Sequence, residues 1–293
     1  MACGFCVIAL LSVAAGAADT SAQDPQPKPS QAAEKSALTA ELVKTGLYRF
    51  SDGSNSLLRL SANGLIVVNG QAPDDYDAFR KRVKKISDQP IRLLIVTDHH
   101  PEHTASNARF IAEGTQILAQ ENVKKNLSNS EPPGGKIALP TKTYDRDFTV
   151  ALGGIEVRLM HFGNAHTNGD SVVYFPNLKV VAVGELFAAT PNPDFASGGS
   201  LVGWGPVLAE ILKLDFDVVV PGTGPTVSRA DLAAFKAKID TLVSRAEGLV
   251  KKGVPKDQLM AQLKTDDLGW RFDFTAEQID RFYAELSDSV GFP

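Results

Sequence analysis

The sequence has few cysteines, no strong excess of either charge and no long apolar run, and each absence excludes a class of protein. Its two cysteines, Cys3 and Cys6, lie at the extreme N-terminus, so the rest of the chain has no disulfide framework, thiolate ligand or cysteine nucleophile. The 30 basic and 34 acidic residues give a net charge of -4, and no basic stripe is interleaved with aromatic residues. Nucleic acid is therefore not an expected partner.

The apolar run at residues 6–17 has the form of a cleaved export signal. At roughly 12 residues it is shorter than the about 20 residues that a helix needs to span a bilayer, and it ends in Ala15-Gly16-Ala17, a small-x-small site for signal peptidase. The absence of Lys and Arg before the run leaves a buried N-terminal helix as the alternative. We expect residues 1–17 to be removed, giving a periplasmic or secreted protein with no stable membrane association.

Residues 18–36 are expected to form a flexible leader. They contain three prolines and almost no bulky apolar side chain, so they cannot bury enough surface to offset the entropy of ordering. The chain has 293 residues and is 43% hydrophobic, which leaves residues 37–293 long enough to bury a full core as one domain.

Hydrophobic patterning predicts strands in two groups, each accompanied by helices. The predicted strands are residues 46–50, 57–60, 65–68 and 91–97, and then 148–152, 155–159, 172–175, 180–183 and 216–220. Gly153-Gly154 suits a two-residue hairpin loop. Helical spacing is seen at residues 76–87 and through the last third, where Ser228 with Asp231 and Thr275 with Gln278 predict N-terminal caps. This pattern predicts an α+β protein with two sheets packed face to face and helices outside.

All five histidines lie within one stretch of the chain, between positions 99 and 166. They are His99, His100, His103, His161 and His166. The loop Thr97–His103 directly follows a strand with a buried pattern and also carries Asp98 and Glu102, while Glu185 ends a later strand. Imidazole and carboxylate donors grouped in this way are typical of a metal site.

Four segments resemble the ordered motifs of the metallo-β-lactamase superfamily. They are Thr97–Asn107, His166–Asp170, Gly184–Leu186 and Pro221–Pro225, which with their flanking strands cover roughly residues 40–230. The resemblance implies a four-layer αββα sandwich and a zinc-dependent hydrolase of small-molecule substrates.

The same motifs depart from the family pattern at five positions. Asp98 stands where the family has its first histidine, and Glu102 stands where it has an aspartate. Glu185 replaces the bridging aspartate, Thr223 replaces the last histidine, and Asn69 replaces an aspartate after an early strand. Among the family's ligand positions, three histidines keep their identity, namely His100, His103 and His166.

The resemblance assigns two metal positions of unequal quality. Asp98, His100 and His166 would form a three-ligand set that suits zinc and leaves one position open. The second position would have Glu102, His103 and Glu185, with only the neutral hydroxyl of Thr223 in place of an imidazole. We expect one zinc ion, with the second weak or absent. The residues expected to support the ligands are Thr223, Asp170, His99 and His161.

The expected reaction is hydrolysis of a small ester, thioester, lactone or β-lactam by a zinc-activated water, with Glu102 orienting that water or acting as general base. The replaced ligands also favour an alternative, a binding protein that keeps the fold and has lost catalysis. A third interpretation is an Fe(II) site, because two imidazoles and one carboxylate also suit iron. Whether Trp204, Phe195 and Phe187 line a substrate mouth or belong to the core is left open by the sequence.

Overall fold

The computed structural model describes Met1 and residues 38–130, 135, 137–187, 193–270 and 274–291. The predicted export signal and leader, apart from Met1, lie outside these residues. No helix in the described part of the chain is both long enough and apolar enough to cross a membrane.

Among the described residues, seven strands form a first sheet and follow one another in chain order. They are β1 (Thr39–Lys44), β2 (Leu47–Ser51), β3 (Asn55–Ser61), β4 (Gly64–Val68), β5 (Ile91–Val96), β6 (Gln116–Gln120) and β7 (Lys142–Tyr144). Strands β1 to β4 are antiparallel, whereas β4 to β7 pair in parallel. The four strands predicted in this region are confirmed as β2, β3, β4 and β5. Strands β1, β6 and β7 were not predicted from the sequence. The exposed edge strand β1 and the three-residue β7 have no clear alternation, whereas β6 is largely buried.

Six strands form the second sheet, in the order β13-β12-β11-β10-β9-β8 over the described residues. They are β8 (Asp147–Leu152), β9 (Ile155–Met160), β10 (Val172–Phe175), β11 (Val180–Gly184), β12 (Val218–Pro221) and β13 (Val227–Ser228). The predicted hairpin joins β8 to β9, and both Gly153 and Gly154 have the positive φ angles, 53° and 81°, that this turn requires. The β11–β12 pair is parallel.

The helices pack on the outer faces of both sheets. Those on the side of the first sheet are α1 (Tyr76–Ile86), α2 (Pro101–Thr104), α3 (Asn107–Ala112) and α4 (Glu121–Asn129); those on the side of the second are α5 (Leu201–Ile211), α6 (Arg229–Lys251), α7 (Lys256–Gln262) and α8 (Ala276–Val290). The predicted capping boxes at Ser228 and Thr275 are both present.

Three apolar clusters separate four layers. Ile95 and Leu118 of the first sheet pack against the Val173 side of the second sheet. Phe79 of α1 belongs to the cluster under the first group of helices, and Phe282 of α8 belongs to the cluster under the second group. The described residues thus form an αββα sandwich, as the sequence predicted.

The cap of α8 provides a test of local stability. The Thr275 hydroxyl accepts from the backbone N–H of Gln278 at 3.2 Å, and the backbone N–H of Thr275 donates to the Gln278 side chain at 2.9 Å. We expect Thr275→Ala to lower the free energy of unfolding by about 1 kcal/mol, because the backbone N–H of Gln278 loses its side-chain acceptor. Urea denaturation measures this loss. Thr275→Ser keeps the hydroxyl and should remain near wild type, and equal losses in both variants would contradict the capping explanation.

Candidate metal centre

The candidate ligands lie at the carboxyl ends of strands from both sheets. Asp98 follows β5 of the first sheet, while Glu185 follows β11 and Thr223 follows β12 of the second. His166 lies in the connection between β9 and β10. The backbone N–H of Ser171, just before β10, donates to the Thr97 carbonyl at 2.7 Å and so joins the ends of the two sheets. Residues that are distant in sequence therefore converge at one edge of the sandwich, where open α/β folds commonly bind ligands.

The Asp98 carboxylate is buried, with 1% of the residue exposed. One oxygen, Oδ1, accepts from the backbone N–H of His100 at 3.0 Å, and Oδ2 accepts from the Thr97 hydroxyl at 3.0 Å. Asn69, with a left-handed φ of 60°, accepts the backbone N–H of Thr97 at 2.9 Å through its side-chain oxygen. Asn69 thus fixes the start of the ligand loop from the neighbouring strand.

Asp98, His100 and His166 each offer a ligand atom to a common point. These three atoms lie within 4.8 Å of one another, and Nδ1 of His100 is 3.4 Å from Oδ1 of Asp98. The rings of His100 and His166 are tilted, with centroids 4.7 Å apart. The structure brings together the three residues that the sequence assigned to the first metal position.

Asp170 and His161 lie behind His166. Nδ1 of His166 is 3.4 Å from Oδ1 of Asp170 and has no hydrogen-bond partner among the described residues. The backbone N–H and hydroxyl of Thr167 both donate to the Asp170 carboxylate, and Nδ1 of His161 lies 2.8 Å from the Asp170 carbonyl oxygen. Thr167 and Asp170 therefore hold the His166 loop, as a metal-ligating histidine requires of its neighbours.

His103 occupies the second position but does not join the group of three. Its Nε2 is 3.5 Å from Oδ2 of Asp98 and 3.9 Å from Oε1 of Glu185, and the ring is completely buried. Both ring nitrogens of His103, Oε1 of Glu185 and the Thr223 hydroxyl are buried without a hydrogen-bond partner among the described residues. Buried polar atoms are normally paired, so this unsatisfied set fits a cation and its ligands. Glu102, by contrast, is exposed on α2.

The charges at this edge depend strongly on one another. Burial raises the pKa of the Asp98 carboxyl, but the surrounding His103, His100 and His166 outweigh it and hold that pKa far below its ordinary value. Burial lowers the pKa of His166, whereas Asp170, Asp98 and Glu185 raise it, to about 9. Asp98 is therefore ionised at neutral pH, which is the state in which a carboxylate binds a cation.

His99 and the nearby aromatic residues do not belong to the ligand group. His99 is stacked on His100 at 5.0 Å between ring centroids, and its Nδ1 lies 3.3 Å from the Asn126 amide. Trp204 and Phe195 are almost fully buried in the cluster beneath the second sheet, and the Trp204 indole donates to the Leu186 carbonyl at 2.9 Å. The structure therefore assigns Trp204 and Phe195 to the core; Phe187 packs on the same cluster and is partly buried.

Ser197 is a residue of this site that sequence reasoning missed. Its hydroxyl oxygen lies 2.9 Å from Nε2 of His100. The sequence had shown only that residues 196–200 form a small-residue segment after a donor-bearing strand. No spacing rule connects Ser197 to His100, because 97 positions separate the two residues.

Two facing sheets flanked by helices, with imidazoles and carboxylates at the strand ends, are the features of a metallo-hydrolase fold with a candidate metal site. The family model described as the metallo-beta-lactamase superfamily matches residues 69–223, just over half of the chain. The chain belongs to the metallo-beta-lactamase superfamily.

Proteins similar to this chain are named for different activities. The 2,4-dinitroanisole O-demethylase subunit alpha of Nocardioides sp. (strain JS1661) is 26% identical over 75% of this chain and 68% of its own length. The linear primary-alkylsulfatase of Pseudomonas sp. (strain ATCC 19151) is 22% identical over 69% of this chain, which spans about half (48%) of that relative. The metallo-beta-lactamase FIM-1 of Pseudomonas aeruginosa, solved in the mono-zinc form, has a TM-score of 0.61 at 17% identity and covers 70% of this chain and 95% of its own.

Proposed function

We propose that this chain is an exported, zinc-dependent hydrolase of a small ester, thioester, lactone or β-lactam, with one zinc ion held by Asp98, His100 and His166. The observation that carries the proposal is the convergence of their three ligand atoms within 4.8 Å. Two imidazoles and one carboxylate, with a fourth position open to water or substrate, are the ligand set of many catalytic zinc sites.

Zinc, when bound, supplies a Lewis acid and a water ligand of lowered pKa. The chain's own residues would do the rest. The Asp170 carboxylate, 3.4 Å from Nδ1 of His166, would orient that ring. Glu102 on α2 provides a solvent-facing carboxylate. We propose Glu102 as the general base, because a carboxylate at the open edge of the site can accept a proton from an incoming water.

A single ion is proposed because the second position is chemically weaker. Its ligands would be His103 and Glu185, and the Thr223 hydroxyl beside them is neutral and buried without a partner among the described residues. The mono-zinc form of the FIM-1 enzyme supports the view that this fold can hold one ion. Fe(II) in the same three-ligand set is the alternative metal, since that set also suits iron.

The relatives widen the range of substrates that should be tested. One is named for O-demethylation of 2,4-dinitroanisole and another for linear primary alkyl sulfates. The substrates to be tested should therefore extend beyond lactams. A substrate panel should include an activated aryl methyl ether and a primary alkyl sulfate beside an ester, a thioester, a lactone and a β-lactam.

The test combines metal content, mass and activity of one preparation. The full chain is produced in a bacterial host and recovered from the periplasm, and its intact mass shows whether residues 1–17 have been removed. We expect about one zinc per chain by elemental analysis, hydrolysis of at least one member of the panel, and loss of that activity after chelation with recovery on adding zinc. A colourless preparation with no metal and no activity would contradict the proposal.

A second candidate is a binding protein that keeps the fold without catalysis. The observation that favours it is the replacement of four family ligands, at Asp98, Glu102, Glu185 and Thr223. A zinc-loaded protein that hydrolyses no member of the panel would support this candidate. Iron in the elemental analysis, with visible colour, would instead favour the Fe(II) interpretation.

A further inference from the structure

His100 has a different partner on each of its two ring nitrogens. Nδ1 lies 3.4 Å from Oδ1 of Asp98, a member of the ligand group, and Nε2 lies 2.9 Å from the Ser197 hydroxyl. A neutral imidazole carries one proton, so the partner of one nitrogen decides whether the other has a free lone pair. A serine hydroxyl can accept the Nε2 proton and leave Nδ1 free for a metal ion.

The second imidazole of the group has the same arrangement with its nitrogens exchanged. Nδ1 of His166 lies 3.4 Å from Oδ1 of Asp170, and a proton on Nδ1 that faces this carboxylate would leave Nε2 for the ion. Metal-ligating histidines commonly donate their other ring N–H to an oxygen, and this contact fixes both the tautomer and the ring orientation. For His166 that oxygen comes from the same loop, whereas for His100 it comes from a segment on the other side of the site.

The position of Ser197 is fixed by the loop that carries His166. Gly198 forms an isolated β-bridge with Thr167, and the backbone N–H of Ser200 donates to the Ala165 carbonyl at 2.8 Å. Gly199 packs so closely on the carbonyl oxygens of Ala165 and His166 that no side chain could be accommodated there. Any shift of the His166 loop must therefore also move Ser197.

The C-terminal helix supports the same segment from outside. The Arg281 guanidinium donates to the carbonyls of Phe195 and Gly199, each at 3.4 Å. The Gln278 amide donates to the Asp194 carboxylate at 3.2 Å, and that carboxylate also accepts the backbone N–H of Ala196 at 2.9 Å. Ser197 thus lies in a segment held on two sides, as a residue that orients a metal ligand requires.

From this geometry we propose that Ser197 is a positioning residue of the metal centre, which accepts the Nε2 proton of His100 and so presents Nδ1 to the ion. The inference rests on the proposed metal site and deepens it. It also gives the segment Asp194–Ser200 a function, because it couples the His166 loop and helix α8 to the orientation of His100.

The first test is zinc affinity, measured by competition with a chromophoric chelator. We expect Ser197→Ala to weaken zinc binding by about 10- to 100-fold, the usual effect of losing an oxygen partner of a metal-ligating histidine. Ser197→Thr keeps the hydroxyl and should bind as wild type does. The matched control is Ser128→Ala, at an exposed position of α4, where the hydroxyl donates to the Lys124 carbonyl. Urea denaturation of each variant confirms that it is folded.

The second test determines the tautomer of the His100 imidazole by 15N–1H correlation spectroscopy of histidine side chains. It uses metal-free protein at a pH at which the rings are neutral, and the His100 signals are assigned by comparison with His100→Gln. The wild type should show the Nε2–H tautomer at His100, and Ser197→Ala should lose this preference. Unchanged ring signals in Ser197→Ala would overturn the inference. Zinc binding by Ser197→Ala that is equal to or tighter than that of the wild type would also overturn it, because the hydroxyl would then not help to present Nδ1 of His100 to the ion. If the wild type binds no zinc, the proposed function fails, and the ring signals alone still decide the role of Ser197.

Discussion

Replacing His166 with alanine is expected to lower zinc affinity by more than about 100-fold and to abolish hydrolysis, a larger effect than that of losing a hydrogen-bond partner of a ligand. The residue is buried, with 5% exposed, and it supplies one of only two imidazoles in the three-ligand group. Asp98 and His100 would remain, and a divalent ion held by two protein groups exchanges readily with solvent. Elemental analysis after dialysis, with chelator competition, measures the loss.

The matched control for this result is another histidine in the same region. Nδ1 of His161 lies 2.8 Å from the Asp170 carbonyl oxygen, and the side chain is not part of the ligand group. His161→Gln retains a polar side chain at this position and should keep close to the wild-type amount of zinc. If His166→Ala retains its zinc and remains folded, the assignment of the ion to this group is wrong.

Replacing Thr223 with histidine is expected to raise the zinc content from about one to about two equivalents per chain. The new imidazole would join His103 and Glu185, whose Nε2 and Oε1 atoms are 3.9 Å apart. Both of these atoms lack a hydrogen-bond partner in the described part of the chain. The backbone should tolerate the change. Asn55 of β3 holds this loop by hydrogen bonds. Its backbone N–H donates to the Gly222 carbonyl at 2.7 Å, and its side-chain amide donates to the Pro221 carbonyl at 2.9 Å.

Zinc titration monitored by calorimetry distinguishes the two positions. The wild type should bind one zinc ion tightly, and Thr223→His should bind a second zinc ion with comparable affinity. Thr226→His, which adds an imidazole outside the ligand positions, is the control for nonspecific binding. A wild-type chain that already binds two ions tightly would show that Glu185 and His103 suffice, and the prediction of a weak second position would be wrong.

Local structure was predictable wherever neighbouring residues determine it. The period-two alternation predicted β8 and β9, the paired glycines predicted their turn, and the capping residues predicted the starts of α6 and α8. The edge strand β1, exposed along most of its length, carries no such signal and was missed. A strand that buries one face alternates apolar and polar residues, so an edge strand that buries little lacks this alternation.

The sequence by itself determined the family and the layered α+β fold, and it indicated the candidate ligand residues, because these depend on motifs and periodicities that lie within short segments. The family resemblance grouped Asp98, His100 and His166, but only the tertiary structure shows that they lie close together. Asp98 and His166 come together only because two sheets pack with their strand ends adjacent, whereas Glu102, within the same loop as Asp98, is exposed on α2. Ser197 reaches His100 across 97 positions of sequence. Contacts of this kind depend on tertiary packing, which brings distant segments within hydrogen-bonding distance.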